Sequence, residues 1–165
     1  MSKDISIDVT ISNVRKRTGQ PYTDQYECDF HFASTASEVT DNGDVDLSCV
    51  TQGAKLSFNL KTTSFVMNNQ TYQCAFPASV NEAFWIARQG GPPPGKGNTP
   101  PMAGGNKLGD QFAVGNDSNS TKAILQDDND DGNSWKYCLV MEFALGKASK
   151  DIIIDPVIIN RQPDL

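Results

Sequence analysis

Apolar and polar residues alternate with a period of two through most of this chain. "ISIDVTI" sets Ile5, Ile7, Val9 and Ile11 on one face, "YECDFHF" does so with Tyr26, Cys28, Phe30 and Phe32, and "KLSFNL" with Leu56, Phe58 and Leu60. "TYQCAF" adds Tyr72, Cys74 and Phe76, while "WKYCLVMEFAL" aligns Trp135, Tyr137, Leu139, Met141, Phe143 and Leu145. Successive side chains of a strand point to opposite faces, so each segment is predicted as a strand with one face packed and one wet. Clean alternation on so many segments is the antiparallel habit. Shorter candidates are "VDLSCV", "FWIAR", "FAV", "AILQ" and "IIIDPVII". No 3.6-residue apolar stripe persists over three turns, and "PASVNEAFWIAR" reads equally as a short helix or as a turn followed by a strand. With about eight strands and turn signals at "TGQP", "DNGD", "NNQ" and "DDG", the expected fold is all-β: an antiparallel β-sandwich, immunoglobulin-like or jelly-roll, with little helix. A chain of 165 residues fits one such domain, spanning 1–165.

Two segments depart from the pattern. Residues 89–111 hold five prolines and seven glycines in 23 positions, which predicts a long loop, functional or disordered, between two strands. The terminal "DIIIDPVII" is apolar on both phases. It is expected to be covered on both faces, with Ile158 and Ile159 as candidate contacts to a second copy of the chain, and Asp155-Pro156 as a kink or edge because proline removes a ladder donor.

Charge narrows the partners. Fourteen Lys and Arg against twenty Asp and Glu give a net charge of −6, and the one tight basic cluster is "RKR" at Arg15–Arg17. Nucleic acid, which needs clustered bases, is therefore not expected. No stretch approaches the roughly 18 apolar residues of a membrane span. "MSKDISIDVTIS" lacks an apolar h-region, so the expected location is cytoplasmic, or exported without a Sec signal. The four cysteines, Cys28, Cys49, Cys74 and Cys138, are far apart without a CxxC and each falls on an apolar phase, so buried free thiols are expected. His31 falls on the polar phase and is expected to face solvent.

Candidate chemistry is sparse. "GGPPPGKG" satisfies G-x-x-x-x-G-K at Gly90, Gly95 and Lys96, but Pro92, Pro93 and Pro94 lack the N–H donors of a phosphate cradle, and Gly97 replaces the magnesium-binding hydroxyl. In "DDNDDG", Asp127, Asn129 and Asp131 with Gly132 reproduce half of a calcium loop; the twelfth position, where a bidentate Glu belongs, is Cys138. A cage would need a second acidic loop such as "DNGDVD" at Asp41–Asp46 to supply further oxygens. Alternatively the residues form a solvated hairpin tip, since Asp, Asn and Gly tolerate positive φ and bond their own backbone. Trp85 and Trp135 are candidate sugar-stacking residues, or core. A single histidine precludes a His-based metal cluster, no G-x-S-x-G elbow occurs, and no carboxylate pair has the apolar setting that acid catalysis requires, so an enzyme is not expected.

The last forty residues combine an acidic turn, an aromatic-rich strand and a closing "DIIIDPVIINR". This combination resembles small, uncharacterised bacterial β-sandwich proteins of the DP-EP type, with matching positions Asp127, Asn129, Tyr137, Leu139, Asp155, Pro156, Ile158 and Asn160. The resemblance covers about a quarter of the chain and implies a non-enzymatic domain. The functional expectation is self-association or protein binding without a cofactor, with a calcium-assisted carbohydrate-binding module as the alternative.

Overall fold

The computed structural model describes residues 2–18, 25–88, 112–115, 118–130, 132–154 and 157–159. The predicted loop at 89–111, Asp131, the Asp155-Pro156 kink and Asn160 lie outside these residues. Within them the strands are β1 (Ser2–Lys16), β2 (Gln25–Ala33), β3 (Val45–Asp46), β4 (Gly53–Leu60), β5 (Ser64–Met67), β6 (Gln70–Ala75), β7 (Phe84–Arg88), β8 (Phe112–Val114), β9 (Lys122–Asp127), β10 (Ser134–Leu145), β11 (Ala148–Ile154) and β12 (Val157–Ile159). The helical element among the described residues is one 3-10 turn, Val80–Ala83, which leads directly into β7. The chain is all-β.

Strand number and direction differ from the sequence-based expectation. Twelve strands are described, and three ladders are parallel: β1 with β4, β11 with β2, and β12 with β3. The parallel β1–β4 ladder runs from Ser2 opposite Gly53 to Val9 opposite Leu60. Alternation reports which face is wet, and it carries no information about strand direction when the outer face is solvated. Here that face carries Ser6, Asp8 and Asn59, with the Asn59 amide donating to Ser6 Oγ at 2.9 Å and Asp8 Oδ1 at 3.3 Å.

Strand order is β3-β12-β10-β11-β2-β1-β4-β9-β8. β10 is the spine. Trp135 and Leu139 each have partners on both sides, so β12 and β11 share one edge of β10 while β7 and β6 share the other. Ring contacts join strands that are not ladder neighbours: Phe58 of β4 lies 5.7 Å from Tyr137 of β10 and 5.6 Å from Phe84 of β7. Tyr26 of β2 meets Phe143 of β10 edge-on at 5.0 Å. The sheet thus bends over a shared core that holds Ile5, Ile7, Val9, Leu56, Leu139 and Met141.

The middle of β10, from Tyr137 to Met141, and the end of β11, from Ile152 to Ile154, are buried on both faces. Tyr137, Leu139 and Met141 enter the main core, while Cys138 and Val140 join Trp85 and Ile153 in a smaller cluster. Cross-strand register explains the grouping, because Cys138 pairs with Trp85 and Val140 with Ile153, and paired residues share a face. The doubly apolar "DIII" is therefore covered within its own chain.

Turn chemistry follows the sequence at "NNQ", where Asn68 and Asn69 have φ of 52° and 62° in the two-residue turn joining β5 to β6. Cys28, Cys74 and Cys138 are buried as expected, but Cys49 is exposed. The strand predicted through "VDLSCV" ends early: Val50 N–H turns back to Leu47 O at 2.9 Å, which rotates Val50 inward and Cys49 outward.

Burial pushes the Cys28 thiol up to about 12 and the Cys74 thiol to about 11, from an ordinary value near 9. With folded values raised, the unfolded chain ionises first, so their contribution to stability is complete below about pH 9 and is lost as pH rises through 11 and 12. Urea midpoints should stay level through neutral pH and fall above about pH 9, with a shallower initial fall in Cys28→Ala/Cys74→Ala; an unchanged profile would contradict thiol burial. A thiol reagent at pH 8 should titrate Cys49 rapidly and the other three only on unfolding.

Candidate functional site

The acidic turn follows from the filling of β9. At its last residue, Asp127 is already opposite Ala54 of β4 on one side and Phe112 of β8 on the other. With both edges occupied, the chain leaves β9 without forming a hairpin and crosses to begin β10. The "DDNDDG" stretch is thus a crossover between strands that do not pair with each other, and its central residue points inward.

Asn129 is fully buried, with φ of 54°, a conformation that Asn tolerates. Its backbone N–H donates to Asp127 Oδ1 at 2.9 Å. Its side-chain Nδ2 donates to the carbonyls of Leu47 at 3.2 Å, Val50 at 3.0 Å and Gln52 at 3.1 Å. An amide nitrogen carries two hydrogens, so one is shared between two acceptors. The segment that Asn129 holds lies just downstream of the acidic Asp41–Asp46 stretch. The contact is close: a Cβ built on Gly53 would sit 3.0 Å from Asp127 O. Asp128 and Asp130 remain exposed beside Ser2, Gly53 and Gln126 in an open cleft of about 470 Å³. Among the described residues no three His, Cys, Asp or Glu side chains converge as a metal group; the third predicted ligand, Asp131, lies outside them.

Tyr137 is a second anchor for the same region. Its hydroxyl crosses the core to donate to Gly43 O at 2.8 Å, and burial holds the phenol well above its ordinary range. Gly43 has φ of +88°, and a Cβ there would meet the Phe32 ring at 2.8 Å, so the turn needs glycine. Phe32 N–H donates to Asp41 O at 2.9 Å, Leu47 N–H donates to Ile159 O at 2.7 Å, and Lys3 pairs with Glu38. The stretch from Ser34 to Gln52 is thereby pinned along its length.

Both tryptophans are buried. Trp85 donates its indole N–H to Glu82 O at 3.2 Å, and Trp135 packs edge-on against Phe112 at 5.2 Å, so neither offers a ring face to solvent. Ile158 is buried beneath its own chain, opposite Val45 and Trp135, which leaves Ile159, 39% exposed, as the member of that pair with surface. His31 is exposed, as its phase predicts.

The other end of β1 holds a feature that the sequence pattern signalled without being read. Apolar positions run Ile5, Ile7, Val9, Ile11 and then Val14, a gap of three that marks one extra residue. The bulge is at Asn13, φ 50°, and the register with β2 shifts between Ser12 and Arg15. Arg15 pairs with Asp29 at 3.1 Å and Glu27 at 3.5 Å, and Asn13 Nδ2 donates to Asp29 Oδ2 at 3.2 Å. The Asn13 hydrogen bond and then the Arg15 guanidinium hold the Asp29 carboxyl below its ordinary range. Beside this network is a cleft of about 560 Å³ lined by Val14, Lys16, Tyr26, Val66, Met67 and Leu145 among others. A 15-residue strand separates the acidic and basic clefts by about 45 Å.

No protein-family model matches the chain, and no curated protein matches it.

Replacing Asn129 discriminates an internal plug from a cation ligand. Asn129→Ala strands three carbonyls and should cost about 2–4 kcal/mol in denaturant titration, equally with calcium or with chelator. Asn129→Asp places a carboxylate against those carbonyls and should cost about 3–5 kcal/mol. A cation cage would show the reverse, with Asn129→Asp tolerated once calcium is added.

Proposed function

We propose that this protein is a non-enzymatic, immunoglobulin-like β-sandwich that works by binding protein, in the first instance another copy of itself. The observation that carries this reading is the cleft beside Arg15 and Lys16, where apolar side chains meet solvent next to cationic ones. Val66, on its wall, is 67% exposed, the highest among the exposed large apolar side chains described. The residues with the most distinctive chemistry are engaged inside: the Asn129 amide on three carbonyls, the Tyr137 hydroxyl on Gly43, and the Cys74 thiol on Thr62 O at 3.1 Å. The DP-EP resemblance supports the same reading, since its matched positions Asp127, Asn129 and Tyr137 serve to hold the fold here.

A calcium-assisted carbohydrate module is the second reading, favoured by exposed Asp128 and Asp130 at the 470 Å³ cleft. Its stacking surface would have to come from residues other than Trp85 and Trp135.

Light scattering across concentration separates the two. The first reading expects mass rising above the 17.9 kDa monomer and returning to it in Val66→Lys. A constant monomer that gives glycan-array signal abolished by chelator and by Asp128→Ala would establish the second reading instead.

A further inference from the structure

The segment between β2 and β4 contains the chain's single Asn-Gly step, Asn42-Gly43, in the "DNGD" stretch. The step closes a tight hairpin: Val39 bridges Val45, Thr40 N–H donates to Asp44 O at 2.9 Å, and Gly43 N–H donates back to Thr40 O at 3.1 Å. Such three-residue hairpin loops end on a residue at positive φ, here Gly43 at +88°. Asn42 is exposed at the tip, while Gly43 is buried. An Asn-Gly step is open to attack on itself, because glycine has no Cβ to keep its nitrogen away from the preceding side-chain carbonyl. In this turn both reacting groups are engaged elsewhere. Gly43 N–H is committed to Thr40 O, and Asn42 Oδ1 accepts from the Thr40 hydroxyl and from Asp44 N–H at 3.4 Å. The carbonyls flanking Asn42 are held as well, Asp41 O by Phe32 N–H at 2.9 Å and Gly43 O by the Tyr137 hydroxyl at 2.8 Å.

We propose that Asn42 is a self-modification site, deamidating through a succinimide when the turn opens, and that the Tyr137–Gly43 anchor sets how often it opens. The Gly43 nitrogen gives its proton to a solvent base and attacks Asn42 Cγ, forming a C–N bond. The Cγ–Nδ2 bond breaks, and the side-chain nitrogen leaves as ammonia. Water then opens the ring at one of its two carbonyls, leaving either an aspartate with the normal main chain or an isoaspartate whose main chain runs through the side-chain methylene. Swinging Gly43 N toward Cγ takes it off Thr40 O and carries Gly43 O away from the Tyr137 hydroxyl. The reaction therefore proceeds from a locally opened state, and its rate follows the population of that state. Reclosing is asymmetric. An isoaspartate lengthens the main chain at position 42, which moves Gly43 off its place beside the Phe32 ring and takes the acceptor from the buried Tyr137 hydroxyl. The product stays loosened over Asp41–Asp46, while Asn129 still holds Leu47, Val50 and Gln52. Each event also adds one negative charge to a chain already at −6.

The test uses the full chain aged in mildly alkaline buffer, with peptide mass mapping to locate the converted residue and ion exchange to collect the product. In the urea-unfolded chain Asn42 should convert ahead of every other asparagine, and in the folded chain it should convert at least tenfold more slowly. Tyr137→Phe removes the anchor hydroxyl and should raise the folded rate by about tenfold, the effect of leaving one buried carbonyl unpaired. Wild-type protein gives the same answer without a variant: sub-denaturing urea should raise the rate in proportion to hydrogen exchange at Gly43 N–H. In the isolated isoaspartate form the amides of Phe32 and Thr40 should lose protection from exchange. Asn42→Asp, which adds the charge without lengthening the main chain, should keep that protection. No conversion of Asn42 in the folded chain, a folded rate equal to the unfolded one, or a rate indifferent to Gly43 exchange would overturn the proposal.

Discussion

One buried amide group decides how the long irregular segment between β2 and β4 is held. Residues 34–52 contain little regular structure beyond the two residues of β3, yet Val45, Leu47 and Val50 are buried in the main core. Burying such a segment requires partners for its backbone carbonyls, since an unsatisfied buried carbonyl costs about 1–3 kcal/mol. Asn129 supplies donors for three of them, and Tyr137 reaches a fourth at Gly43. Because β9 is flanked by β4 and β8 at Asp127, the crossover to β10 carries Asn129 inward, so sheet topology and loop anchoring are one constraint.

Much of the strand pattern was legible. The alternating runs around Ile5, Phe58 and Leu139 became β1, β4 and β10, and the doubly apolar run at Ile152–Ile154 is covered on both faces. Direction was not legible, because a wet outer face produces the same alternation in the parallel β1–β4 pair as in an antiparallel one. Cys49 was misplaced because a single turn at Val50 resets the phase, and local alternation cannot report a turn that a distant residue such as Asn129 stabilises.

The candidate sites fared differently for a common reason. Asp127, Asn129, Trp85 and Trp135 are polar or aromatic residues at strand ends, where composition alone does not distinguish a rim from a plug. Their burial depends on pairings distant in sequence: Trp135 with Phe112, Trp85 with Cys138, and Asn129 with Leu47, 82 residues away. The Val14 phase slip was readable, and it marks the cleft where apolar and cationic side chains meet solvent. Interior chemistry and exterior chemistry are thus separated by about the length of β1.

The most direct measurement is on the Asn129 side chain itself, by NMR of the ¹³C,¹⁵N-labelled protein. Scalar couplings across hydrogen bonds from Asn129 Nδ2 to the carbonyl carbons of Leu47, Val50 and Gln52 are predicted, with side-chain amide protons protected from solvent exchange. An Asn129 amide that exchanges at the rate of a free asparagine, with no such couplings, would contradict the account.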